Sequence, residues 1–225
     1  MILPGFPSIF AGRAPVTATW VWSAFRTADA TTYTWSGQSI GSAQTNRRLV
    51  AVVQWEPAHP SVSTVTALSI DGTAGTEVIS HDDQYATDAR SSIWIVDGDQ
   101  SATTGDVTVT VSTQPWKRMS VNVYAVYGND FPQILDTAVA FTSTSATQLS
   151  PSITPSPTGP CIAGVSCGSS SNGVSLAPGF TRDKLDTLES GNSTFAAFSL
   201  ANADITGMTT SNANGQKCMT AVSFF

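Results

Sequence analysis

At 225 residues the chain is long enough for one large β-sandwich or for two small domains. Only 12% of its residues are charged, about half the usual share of ~25%, and the formal net charge is −6. Lysine occurs only at Lys117, Lys184 and Lys217, and the adjacent basic pairs are Arg47–Arg48 and Lys117–Arg118. Phosphate neutralisation needs clustered cations, so nucleic-acid binding is excluded, and the two basic pairs are expected to be solubilising charges at strand ends. No apolar run reaches the ~18 residues of a membrane span, which excludes membrane insertion by a helix.

In chain order, residues 1–10 (MILPGFPSIF) lack a basic leader and are broken by Pro4, Gly5 and Pro7, so they do not form a secretory signal. The expected product is made in the cytoplasm and stays there or leaves by lysis. From Thr17 onward the dominant pattern is the two-residue alternation of half-buried strands, punctuated by Gly, Asp, Asn and Pro about every ten residues. Strands are predicted at 17–26, 31–36, 47–55, 64–70, 76–80, 91–96, 106–113, 119–127 and 134–141. The run Arg47–Trp55 is continuously apolar after its two arginines, which predicts a central strand covered on both faces. Asp71-Gly72 is a tight-turn signal. In 106–113, Val107, Val109 and Val111 should face the core, with Thr108 and Thr110 opposite. Val121, Val123 and Ala125 should share a face in the same way.

Residues 143–160 are rich in Ser, Thr and Pro, predicting a linker or a long surface connection. Strand patterns resume at 161–167, 174–176, 194–200 and 217–225, and the apolar terminus CMTAVSFF must pair inside a sheet. The tail after Pro160 is too poor in aliphatics for an independent core. The expected fold is therefore all-β: an antiparallel, jelly-roll-like β-sandwich over 16–225, with the C-terminal strands added back into its two sheets.

The three cysteines, Cys161, Cys167 and Cys218, cannot all pair within one chain and lack C-x-x-C spacing, which leaves buried thiols or one disulfide and no metal site. Only His59 and His81 could serve acid–base chemistry near neutral pH, and no nucleophile elbow accompanies them. His81, Asp82, Asp83 and Asp88 form the densest polar cluster, which reads as a solvated acidic loop; Asp97-Gly-Asp99 reads as a turn. Glutamate occurs only at 56, 77 and 189, so no carboxylate pair of a glycosidase can be argued. Catalytic residues, cofactor and metal are all expected to be absent. Among six tryptophans, Trp20 and Trp22 should share one strand face with Trp35 stacked nearby, either as core or as a platform for sugar rings.

Several stretches taken together, SGQSIG (36–41), RRLVAVV (47–53), VTALSIDGTA (65–74), SSIWIV (91–96), TGDVTVTVS (104–112), MSVNVYAVYG (119–128), STFAAFSLA (193–201) and TAVSFF (220–225), resemble a loose group of tailed-bacteriophage and prophage virion proteins. The resemblance implies a non-enzymatic β-sandwich on a virion, as capsid decoration or as part of a head or tail fibre, whose partners are other virion proteins and copies of itself. Residues 1–15 then fit as an extended arm whose Ile2, Leu3, Phe6, Ile9 and Phe10 a neighbouring subunit would bury. The alternative is a carbohydrate- or host-receptor-binding module using Trp20, Trp22 and Trp35 against a surface glycan.

If Val109 faces the core, Val109→Asp buries an unpaired carboxylate at a cost comparable with the roughly 5–15 kcal/mol that holds a domain folded. Soluble expression should be lost; a soluble variant with a cooperative melt would show the assigned strand facing to be wrong.

Overall fold

The computed structural model describes residues 15–28, 30–57, 63–81, 90–98, 101–112, 116–146, 148–154, 156–168, 174–177, 179–188, 193–201, 209–211 and 215–225. Of the proposed arm at 1–15, residues 1–14, with Ile2, Leu3, Phe6, Ile9 and Phe10, lie outside them. So do His59, Asp82, Asp83, Asp88 and Asp99.

Among the described residues there is no helix. The strands are β1 (Thr17–Arg26), β2 (Thr32–Ser39), β3 (Arg47–Pro57), β4 (Val65–Ile70), β5 (Thr73–Ala74), β6 (Thr76–His81), β7 (Arg90–Val96) and β8 (Thr104–Val111). They continue with β9 (Trp116–Tyr127), β10 (Ile134–Ala146), β11 (Cys161–Gly168), β12 (Ser175–Ala177), β13 (Thr181–Leu188), β14 (Ser193–Leu200), β15 (Thr209–Ser211) and β16 (Gly215–Phe224).

The architecture is an antiparallel β-sandwich of three stacked sheets. A central sheet runs β1-β9-β3-β7-β6. An N-terminal cover, β2-β8-β4-β5, packs on one face of it, and a C-terminal sheet, β10-β16-β11-β14-β13, packs on the other. The continuous apolar pattern of β3 follows from this double cover. Leu49, Ala51, Val53 and Trp55 enter the core beneath the N-terminal cover, while Val50 and Val52 meet Ile162, Ala197 and Val222 of the C-terminal sheet. On β8, Val107, Val109 and Val111 are buried in the first of these cores, as the alternation requires. Asp71 and Gly72 both take positive φ, 50° and 74°, and so build the two-residue turn from β4 to β5.

Three expectations need correction. The C-terminal strands do not rejoin the first two sheets; with β10 they build a sheet of their own, in which terminal β16 lies between β10 and β11. The Ser/Thr/Pro-rich stretch is more than a surface connection. Strand β10 extends to Ala146, and Leu149 and Ile153 are buried with Val174 and Leu176 over the outer face of the C-terminal sheet. The basic pairs are not simply solubilising either. Arg47 is buried and donates to the carbonyls of Gly41, Ser42 and Ala102, closing the loop before β3. Arg48 grips Asp97 through Nε and Nη2 at 2.7 and 2.8 Å. Arg118 is buried 3.2 Å from the equally buried Glu56. Desolvated cations survive only when matched in this way, and no sequence pattern announces the match.

The three cysteine thiols are buried and unbonded to one another. Burial, with the Asp136 charge adding to it, pushes the Cys161 thiol up to about 12, which keeps it protonated and unreactive.

The central and C-terminal sheets pack closely at Gly164, where an added Cβ would lie 2.4 Å from Val52 Cγ1 and 3.0 Å from Ser91 Oγ. Gly164→Ala should therefore wedge the two layers apart and cost about 1–3 kcal/mol, measured by urea denaturation against the parent chain; unchanged stability would mean that the layers are not closely packed there.

Candidate functional site

Strand β1 is an edge of the central sheet, and its register against β9 slips between Trp20 and Trp22, where Val21 forms a bulge. Cross-strand partners share a face, so this one extra residue decides where every aromatic of β1 points. Trp20 lies opposite Tyr124, on the side of the C-terminal sheet; Trp22 lies opposite Val123, on the side of the N-terminal cover. The expected shared face for Trp20 and Trp22 is thus overturned. Trp22 meets Trp35 edge-to-face at 5.7 Å, Tyr33 stacks on Trp35 at 6.2 Å, and Arg26 sits 5.5 Å above the Trp35 ring. Trp35 is only 6% exposed, so Trp22 and Trp35 form part of a core wall and the three tryptophans make no common platform.

The same bulge brings a different pair together. Beyond it, Phe25 lies opposite Ser120 and so shares the face of Trp20. Both are exposed, Trp20 by 37% and Phe25 by 48%. Facing them across the margin of the sandwich is β13, the charged edge of the C-terminal sheet, with a bulge of its own between Arg182 and Lys184. The floor is the face of β9 carrying Ser120, Asn122 and Tyr124. Tyr124 donates its hydroxyl to Asp183 Oδ2 at 2.9 Å, Ser120 donates to Asp186 Oδ2 at 2.9 Å, and Lys184 Nζ lies 3.3 Å from Asp186 Oδ1. Each exposed aromatic is thus the strand neighbour of a β9 hydroxyl that reaches a β13 carboxylate.

Burial, reinforced by the neighbouring Asp183 charge, holds the Tyr124 hydroxyl well above its ordinary pKa, so it remains a donor. Burial also raises the Asp183 carboxyl, against hydrogen bonds from Ser199 and Tyr124 that favour its ionised form. These groups suit the acceptance of hydroxyls and the stacking of flat apolar rings. Sequence reasoning missed Phe25, Asp183, Lys184 and Asp186. Four charges in the eight residues of β13 masked the strand, and a single-residue bulge has no compositional mark.

The opposite margin, between β6 and β10, is apolar. Val139 and Phe141 of β10 are 43% and 49% exposed, and His81 stacks on Phe141 at 4.0 Å. His81 is thereby placed on the far side of the sandwich from Asp183 and Asp186. Asp97, half of the Asp97-Gly-Asp99 turn, is occupied by Arg48. Among the described residues no three His, Cys, Asp or Glu side chains converge as metal ligands.

No family model, curated protein or solved structure matches this chain.

Because the Asp183 carboxyl binds its proton more tightly folded than unfolded, its contribution falls as pH rises from the ordinary value near 3.8 through the raised one. Asp183→Asn removes that loss. The melting temperature of the parent chain relative to the variant should therefore be higher at pH 3.5 than at pH 7, as read by circular dichroism. Asp136 is shifted the other way by its bonds to Thr154 and Thr137, but it is common to both proteins and cancels in the difference.

Proposed function

We propose that this chain is a non-enzymatic structural component of a bacteriophage virion, a capsid-decoration or head/tail-fibre protein that assembles with copies of itself and with other virion proteins through its N-terminal arm and sandwich surfaces. The observation that carries the proposal is the character of the sheet edges. Edge strand β10 has a single charge, Asp136, in thirteen residues, and edge strand β2 has none in eight. Proteins that remain monomeric guard such edges with lysine, proline or covering segments. On β10 the register from Asp136 to Thr142 is unbroken, and Val139 and Phe141 stand exposed beside it. An edge of this kind suits a surface that a neighbour covers. Three further features support the reading: the resemblance noted at 36–41, 47–53, 65–74 and the later stretches, the low charge, and the apolar arm sequence at Ile2, Leu3, Phe6, Ile9 and Phe10.

Size-exclusion chromatography with light scattering on the full chain, on a chain lacking residues 1–15 and on Phe141→Lys tests the reading. The full chain should form a defined oligomer, the truncation should run as a monomer, and Phe141→Lys should shift the equilibrium at least tenfold toward smaller species. Identical compact monomers in all three would overturn assembly through the arm and the β10 margin.

A further inference from the structure

The margin between β1 and β13 carries a second activity, separate from assembly. We propose that it is a binding groove for a neutral oligosaccharide, in which Trp20 and Phe25 stack against sugar rings while Asp183 and Lys184, the part-exposed polar side chains of β13, meet hydroxyl groups. The bulge at Val21 is the first reason. Without it Phe25 would face the N-terminal cover; with it two large aromatics stand exposed on one face of an edge strand. Bulges on edge strands re-aim side chains at functional sites; this one packs Val21 and Trp22 on the N-terminal core and at the same time leaves Trp20 and Phe25 exposed together on the other face.

Spacing is the second reason. Trp20 and Phe25 lie opposite Tyr124 and Ser120, four residues apart on β9, hence about 13 Å along the strand. One sugar ring cannot touch both, and a short oligomer can. Ala18 continues the row upstream, and with Pro160, Thr181, Ser199, Leu200 and Ala201 it lines a cleft of about 140 Å³ at the end of the groove.

Polarity is the third. A pyranose offers C–H faces to aromatic rings and hydroxyl edges to acceptors, which is the division found between the two walls. Lys184, the lysine of the groove, is paired with Asp186, and Asp183 accepts a hydrogen bond from Tyr124. The nearest arginines turn away, Arg26 over Trp35 and Arg182 onto the Val174 carbonyl. Among the described residues an anionic ligand therefore finds no unengaged cation at this margin, and a neutral one is favoured.

The test uses the full chain in native gels cast with dextran, mannan, xylan or hydroxyethylcellulose, followed by titration of tryptophan fluorescence with the polysaccharide that retards it; tetralysine serves as the cationic comparison. At least one polysaccharide should retard the parent. Trp20→Ala and Phe25→Ala should each weaken binding at least tenfold without changing the melting temperature, and Phe141→Ala, on the opposite margin, should bind as the parent does. Retardation by none of the four, retardation insensitive to Trp20 and Phe25, or a response to tetralysine alone would each overturn the proposal, the last in favour of a cationic partner. Because β10 lies at the opposite margin from this groove, loss of assembly in Phe141→Lys and loss of glycan binding in Trp20→Ala are separable outcomes.

Discussion

The structure depends on one constraint: the central sheet is covered on both faces. A sheet buried twice cannot alternate apolar and polar residues, because each face needs its own core. β3 meets this demand with Leu49, Ala51, Val53 and Trp55 on one side and Val50 and Val52 on the other; β9 does so with Val121, Val123 and Ala125 against Tyr124 and Val126. The two cores differ in kind. The one beneath the N-terminal cover is mainly apolar, with Tyr33, Trp35, Trp55 and Trp94 filling it and Ser92 and Arg90 buried at its margin. The one beneath the C-terminal sheet is apolar at one end and polar at the other.

That polar end is held by specific bonds between layers. Gln54 Nε2 donates to the carbonyls of Val165 and Ala196 at 2.8 and 2.9 Å, Ser91 and Thr220 share a hydrogen bond of 2.7 Å, and Ser166 donates to the Arg90 carbonyl at 2.6 Å. Buried polar groups are costly when unmatched, so these bonds admit only one sliding position of the C-terminal sheet on the central one. A greasy interface alone would tolerate several. The same fixed registration sets β13 opposite β1 and β10 beside β6, and so creates the two margins where exposed aromatics stand.

The margins differ because their edge strands differ. On one side a charged strand, β13, faces a bulged aromatic strand, which leaves a groove with one apolar and one polar wall. On the other, β10 is long, nearly uncharged and unbroken in register from Asp136 to Thr142, which leaves an unguarded edge. A groove with fixed polar acceptors selects small ligands by geometry, whereas an open edge recruits another chain through its backbone. The two proposed roles thus belong to opposite sides of one sandwich and can operate together.

The period-two alternation was enough to place most strands, since it reports directly that one face is buried: β1 begins and ends where the pattern does, and the facing of Val107, Val109 and Val111 follows from it. The double cover of β3 was equally legible, because only a strand with two cores can be apolar at five successive positions, Leu49 to Val53. β13 was not legible, for an edge strand next to solvent keeps its charges and loses the alternation. Nor were the Ala102 carbonyl that Arg47 reaches and the Glu56 partner of Arg118, which come from distant segments. The separation of Trp20 from Trp22, and the pairing of Trp20 with Phe25, rest on one bulged residue whose position depends on how β1 settles against β9. Local sequence therefore determines which segments become strands and which of their faces are apolar, because those properties are set residue by residue. Tertiary structure alone decides sheet membership, the matching of buried charges and the aim of the edge aromatics, because each depends on a partner far away in the chain.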